Sequence, residues 1–408
     1  MADQGSVMNR AEAFNPPVRL QDGLSITGNV CSEMGLGEAA RNLAAACDTQ
    51  RLPLSFRILP LPSRDNVPEF LTKSNQLADR KASLLVIGLG HLHAAQNEIG
   101  AGRVNILYPF WELSRAPAES LVVAPRYDEI WAPTTFVASA FPTTLGRPVR
   151  LVPQPVRLPS APPAPRKGRQ TLRLFTYLDF DSYGARKNPT AAVSAFRAAF
   201  DATKRDVELV VKVRGIHDHG LRAWLAQVAT NDPRISVIDR TLDRARMDEL
   251  MASCDAFVSL HRSEGFGFGA AEALAAGKAV VATDYGGTTD FITPATGYPV
   301  ACTLEPVRPG EYLDSDGQVW ATPLQDAAVA ALRAIHQDPN DADARARRGF
   351  ALLQAQHGLA VVGARIATML RELGVLDEQS GASPDSPGSQ PPANGTDDPP
   401  SPGDFDGR

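Results

Sequence analysis

Two carboxylates, Glu264 and Glu272, stand at the ends of a glycine-rich stretch, Glu264-Gly-Phe-Gly-Phe-Gly-Ala-Ala-Glu272, with seven residues between them. A second charged stretch, Tyr183-Gly-Ala-Arg186-Lys187-Asn188-Pro189, sets two cations just before an N-cap asparagine and a helix-starting proline. Cations at a helix N-terminus oppose the helix dipole, so the pair predicts an anion held between them and the free amides. With Glu264 in a loop and Glu272 in the early turns of a helix, the carboxylates stand up to roughly 12 Å apart at helical rise. That span suits a nucleoside diphosphate sugar, with one carboxylate at each end and the diphosphate between.

The elements that must hold these residues are readable around them. Residues 256–260 form an apolar run of the kind that becomes a buried parallel strand. A polar, glycine-rich turn over 261–269 follows, then an alanine-rich helix closed by Gly277 and a second apolar run at 279–282. In an open α/β sheet, ligands sit at the carboxyl ends of strands and the N-termini of helices.

The stretch 264–272 resembles the E-x7-E signature of retaining glycosyltransferases of family 4. The lead-in HRSEGFG, the later DYGG and TDF, and the earlier FWELSR and DEIWAPTTFV are similar to a bacterial mannosyl- or polysaccharide-assembly branch of that family. The resemblance covers about 25–375 and is strongest over 171–320. It implies a GT-B fold, two facing Rossmann-like domains with a donor cleft between them. It also implies metal-independent transfer of a sugar, with retention, from a GDP- or UDP-linked donor to a glycan or lipid-linked saccharide. By the same resemblance Glu264 approaches the donor sugar, and Gly265, Phe266 and Gly267 offer it amides. His261 and Ser263 flank it, Glu272 holds the ribose, and Lys187 and Arg186 hold the donor phosphates. Leu178-Asp179 replaces the family's usual glycine–arginine, which makes Lys187 the firmer assignment of the two. GDP-mannose is the donor suggested by branch resemblance.

The first half reads as a domain of the same class. A strand at 25–31 leads into SEMGLGEAARNLAAAC, where Leu36, Ala39, Ala40, Leu43, Ala44 and Cys47 recur at helical spacing, so Gly35 and Gly37 sit at a helix entrance and face a phosphate. Gly35-x-Gly37-x-x-Ala40 also matches a dinucleotide fingerprint, which keeps an NAD-dependent oxidoreductase as a rival. The acidic partner that such a protein needs at the end of its second strand is missing from 54–62. Further strands are expected at 84–90, 104–110, 128–132 and 149–153. In the second domain they are expected at 172–180, 207–213 and 234–238, and alternation with helices predicts parallel sheets. Lys212 and Arg214 end one of these strands beside the donor. Among the histidines, His93 is the choice for a substrate hydrogen bond. His91 and His93, at i and i+2 on a strand, would point to opposite faces and have no third ligand nearby, so no metal site is expected. Asp179-Phe-Asp181 mimics a metal-binding DxD, but it lacks the single-domain setting that motif uses.

The domain plan is therefore an extension at 1–22, an acceptor domain at 23–157, a proline-rich linker at 158–170 and a nucleotide-sugar domain at 171–340. Helices at 341–378 cross back to the first domain, and an acidic tail at 379–408 is expected to be disordered. Helix resumes at 323–337 after an irregular, proline-rich 298–321. Net charge is −5, of which the tail, with five Asp and one Arg, carries most, so no basic footprint for nucleic acid is present. The linker run Arg166-Lys167-Gly168-Arg169 reads either as solvated chain or as a peripheral contact with an anionic membrane. Four scattered cysteines and the lack of a signal-like start point to a reducing cytoplasm, with the inner membrane face a further option. A sugar-nucleotide binder without turnover is the remaining alternative.

Overall fold

The computed structural model describes residues 20–377, except 62–63, 65–66, 68, 75–78, 165–169 and 216. The basic linker run, the acidic tail and nearly all of the N-terminal extension lie outside the described residues.

Six parallel strands form the first sheet: β1 (Gln21–Gly28), β2 (Leu54–Ile58), β3 (Arg80–Gly88), β4 (Val104–Phe110), β5 (Glu129–Ala132) and β6 (Val149–Leu151). Their order is β2-β1-β3-β4-β5-β6. The second sheet holds β7 (Leu172–Asp179), β8 (Val207–Arg214), β9 (Ile235–Asp239), β10 (Ala256–Ser259), β11 (Ala279–Thr283) and β12 (Tyr298–Val300), again parallel. Its order is β12-β11-β10-β7-β8-β9. The direction of strand succession reverses between β7 and β10, which makes their carboxyl ends the crevice of the sheet.

Near-continuous apolar runs arise because both faces of each sheet are covered. On β3, Leu84 and Val86 enter one core cluster while Leu85 and Ile87 enter another. On β8, Val207, Leu209, Val211 and Val213 pack on one side, while Val210 faces the other. Lys212 shares the alternation of Val210, so a lysine sits where the pattern demands an apolar group.

Helices complete the layers: α1 (Gly35–Asp48), α2 (Pro189–Ala199), α3 (Arg244–Ala252), α4 (Phe268–Ala275), α5 (Gln325–Gln337), α6 (Pro339–His357) and α7 (Leu359–Glu372). Helix α4 ends as its sequence demands. Gly277 takes φ +69°, and the amides of Gly277 and Lys278 bond back to Leu274 and Ala273, so the last carbonyls are satisfied. Helix α7 packs on α1 of the first unit, with Val362, Ile366 and Leu370 in the same cluster as Leu43 and Cys47. That cluster also takes in Phe175, Phe257 and Phe266, so one apolar core runs through both units.

Two local expectations change. The stretch read as irregular holds β12 and an antiparallel hairpin, β13 (Cys302–Pro306) with β14 (Val319–Pro323). Most of β13 is exposed, so it carries no alternating apolar signal. Its connecting strap crosses to the first unit, where Val307, Tyr312 and Trp320 join the cluster of Trp111 and Leu113. Asn188 does sit at the N-cap of α2, but in a left-handed conformation and without capping it. Its amide instead donates to the Leu260 carbonyl at 3.0 Å, tying the loop after β7 to the end of β10.

Candidate active site

The loops that leave β7 and β10 meet at the crevice. After β7, the helical turn Gly184–Lys187 presents Arg186 and Lys187. After β10, the chain turns through His261 to Gly267 before α4. Glu264 is buried between the two cations, with Oε1 2.5 Å from Lys187 Nζ and Oε2 3.1 Å from Arg186. Burial pushes this carboxyl up, but Lys187, Arg186 and His261 overcome it and hold it down at about 2. Burial also works against the Arg186 charge, yet Glu264 and Glu112 keep that guanidinium firmly protonated. Lys187 is pulled below its ordinary value by burial and by Arg186, with Glu264 opposing. The anion expected between these cations is therefore supplied by the chain itself. Arg186 is at least as firmly placed as Lys187: it is the more buried, and it also donates to the Ser263 carbonyl at 2.9 Å.

Among the described residues, the amides of Gly265, Phe266 and Gly267 have no hydrogen-bond acceptor. They precede α4, whose N-cap Gly267 takes φ +91°, a conformation glycine adopts without strain. Dense packing holds the loop. The Gly265 carbonyl accepts from Thr134 Oγ1 at 2.8 Å, and a Cβ on Gly265 would come within 2.6 Å of the Trp111 carbonyl. From the other side, the Gly287 amide donates to the Glu264 carbonyl at 2.7 Å.

Glu272 lies on α4, partly buried, with Oε1 2.7 Å from Arg244 at the start of α3. Burial raises its pKa despite Arg244, and Glu38 and Asp248 add to the rise. Tyr177 lies within electrostatic reach of both Glu264 and Glu272. It pairs in register with Lys212, which pairs in turn with Ile238. The Lys212 residue is largely buried, and its ammonium forms no hydrogen bond or ion pair among the described residues. Burial, with help from Arg214, brings its ammonium down to about 8. An ammonium on a largely buried stem, with no partner from the chain, is a cation in want of an anion.

Gly35 faces this region: a Cβ there would lie 3.8 Å from Phe268, the first residue of α4. Gly37 has a different reason to be glycine. It is buried, and a Cβ would strike the Ser32 carbonyl at 2.1 Å, so close packing of α1 on its entry turn requires it.

His261 is wholly buried, with Nδ1 2.9 Å from Ser259 Oγ and Nε2 3.1 Å from the Tyr285 carbonyl, so it props the loop from beneath. Ser263, also fully buried, donates its hydroxyl to the Glu112 carbonyl. Arg214 is spoken for: it bonds Asp179 at 2.9 Å and the Glu33 carbonyl at 3.0 Å. His93 is exposed, beyond β3 and a short 3-10 turn, and its ring has no partner among the described residues. The ring of its neighbour His91 lies 3.9 Å from where a Cβ on Gly88 would be, a point equally close to Leu36 between the two entrance glycines.

Arg244, Tyr312 and Arg64 had no signal in the sequence, and Glu112 had only its place in FWELSR. Arg64 reaches from the first unit to Asp179 at 2.7 Å and Asp181 at 2.6 Å. The DxD look-alike is thus a clasp between units, and no cluster fit to hold a metal occurs among the described residues.

Residues 180–348 match the family described as "Glycosyl transferases group 1". Solved structures resemble the whole two-unit arrangement. Sucrose-phosphate synthase from Thermosynechococcus elongatus matches with a TM-score of 0.62 at 14% identity, covering 86% of this chain and 99% of that one. The fold is GT-B. Anabaena Alr3699/HepE in complex with UDP, itself similar with a TM-score of 0.59 at 14% identity, covers 86% of this chain and 100% of its own. The lipopolysaccharide outer core galactosyltransferase WaaB matches at 0.57 and 11% identity, covering 86% and 99%. No curated protein matches by sequence. Glu264, Arg186 and Lys187 lie within the residues that carry the family match, and Gly35 of the first unit approaches Phe268 at the start of α4.

Proposed function

We propose that this chain is a retaining glycosyltransferase of family 4 type that takes a sugar from a nucleoside diphosphate and passes it to a saccharide or lipid-linked saccharide. One observation carries the reading. Arg186, Lys187 and the unsatisfied amides at 265–267 meet at the switch point of the second sheet, and Lys212 lies on the neighbouring strand β8.

A donor diphosphate would replace the Glu264 carboxylate as partner of Lys187 and Arg186, freeing Glu264 to face the sugar. Glu272 would exchange Arg244 for the ribose hydroxyls. Departure of the diphosphate builds negative charge, and these cations and amides stabilise it where it develops. The bond from the anomeric carbon to phosphate oxygen breaks while the acceptor oxygen bonds on the same face. The acceptor's proton passes to the leaving phosphate. No group in this sequence of events needs a metal ion or a resident cofactor.

The branch resemblance favours GDP-mannose and polysaccharide assembly, whereas the similar Anabaena structures carry UDP or UDP-glucose. Calorimetric titration with UDP, GDP and NAD, on wild type and Glu272→Ala, separates these. Binding of one nucleoside diphosphate that is weakened in the variant supports the transferase and names the base. Binding of NAD alone, indifferent to Glu272, points back to an oxidoreductase. With the matching nucleotide sugar, release of the nucleoside diphosphate distinguishes an enzyme from a passive binder. No helix among the described residues is long and apolar enough to cross a membrane. A cytoplasmic site of action, with the basic linker touching the inner membrane face, is part of the proposal.

A further inference from the structure

Tyr183, Tyr312 and Glu112 form a constellation that donor binding does not use. Tyr183 takes φ +61° and ψ 90°, a conformation in which a bulky non-glycine residue is a genuine outlier. Such outliers concentrate at functional sites. Its side chain is not folded away to compensate: it is 41% exposed, one of few large apolar groups so placed. The ring lies 4.6 Å from that of Tyr312, inclined at 50°. Tyr312 is carried by the β13–β14 strap and is nearly buried, edge-on to Trp111 at 5.7 Å. Its hydroxyl donates to Glu112 Oε2 at 2.5 Å. Glu112 Oε1 has no hydrogen-bond partner among the described residues, and the residue is partly open to solvent.

The position relative to the reacting groups is close. The amides of Arg186 and Lys187 donate to the Tyr183 carbonyl at 3.1 and 3.3 Å, so the exposed ring is one helical turn from the phosphate-holding cations. Arg186, bonded to Glu264, also feels Glu112 and Tyr312. Three separate parts of the chain meet here: the end of β4, the loop after β7 and the strap. An open aromatic face beside a carboxylate oxygen that can accept hydroxyls is the chemistry that recognises a pyranose, which has an apolar C–H face and a polar rim. The donor occupies the second unit's crevice, so what reaches a platform built partly from the first unit is the other substrate.

We propose that Tyr183, Tyr312 and Glu112 form the acceptor subsite and that the acceptor lays a pyranose ring on Tyr183, with a hydroxyl on Glu112. This rests on the glycosyl-transfer reading. The test is saturation-transfer NMR on the full chain, saturated with whichever of UDP or GDP binds. The probes are methyl α-D-mannopyranoside, methyl α-D-galactopyranoside and methyl β-D-glucopyranoside. At least one glycoside should receive saturation, fall at least fivefold in Tyr183→Ala and persist in Tyr183→Phe. Tyr312→Phe, which loses the hydroxyl that orients Glu112, should weaken the contact while keeping the ring. Glycoside signals that are absent from the nucleotide-bound wild type, or equal in wild type and Tyr183→Ala, overturn the inference. If neither nucleotide binds the wild type, the donor reading itself fails and the acceptor site goes with it.

Discussion

At the scale of single residues, Glu264 and Lys212 are opposite cases of buried charge. Glu264 is paired twice, and its carboxyl is held at about 2, below its unfolded value. Its contribution to stability is therefore complete above about pH 4.5 and is lost as pH falls towards 2. Removing it leaves Arg186 and Lys187 facing each other, which costs about 3 kcal/mol by precedent for broken buried pairs. Glu264→Ala should thus melt earlier, be rescued by added nucleoside diphosphate more than wild type is, and lose at least a hundredfold in turnover. Differential scanning fluorimetry and nucleotide release measure these. Lys212, held at about 8, is lower than in the unfolded chain, so stability should rise as pH climbs from 8 towards 10.5. Lys212→Met removes a buried unpaired charge: the melting temperature should hold or rise while nucleotide affinity falls about tenfold, as expected for loss of a charge-assisted bond of ~1.4 kcal/mol. A melting temperature that drops sharply would mean that Lys212 serves the fold and not the ligand.

At the scale of elements, the end of β7 and the loop after it clasp the first unit: Asp179 and Asp181 both bond Arg64, and Arg214 at the end of β8 bonds Asp179. Burial raises the Asp179 carboxyl, but Arg64 and Arg214 together hold it below the usual range. That increment of stability is present above about pH 4 and is lost as the pH drops through the folded value. Asp179→Asn weakens both arginine contacts, and a loss of about 1–3 kcal/mol is expected for bonds to charged groups in this half-buried setting. Urea unfolding reads that loss, and hydrogen exchange should show faster opening around Arg64 and at the entrance to α1. If exchange quickens only within the second unit, the clasp is not what holds the two units together.

At the scale of the whole molecule, α7 packs against α1 and so ties the second unit to the first. A Cβ on Gly363 would come to 2.1 Å from the Ala46 carbonyl, so α1 and α7 approach as closely as backbone allows. Gly363→Val should push them apart and cost about 2 kcal/mol or more through overpacking. Because the core is shared, both units should unfold in one transition at a lower temperature. Two separated transitions in calorimetry would instead show that the units are stable apart.

What the sequence determined by itself is what is local. The strand–loop–helix around Glu264, the cation pair before α2 and the glycine stop of α4 each follow from periodicity and capping over a dozen residues, and they are where those rules put them. Neighbourhood across long separations was decided only by the tertiary structure. Tyr312 meets Glu112 across 200 positions, and Arg64 meets Asp179 across 115. Hydrophobic period says which face of a strand is buried, but nothing in it says which distant loop will lie at its end. The same limit applies to His261, which the family resemblance sets beside the donor sugar. Whether a histidine in such a loop points at a substrate or into the core depends on Ser259, Tyr285 and Thr288 packing around it, and that packing exists only once β10 and β11 lie side by side.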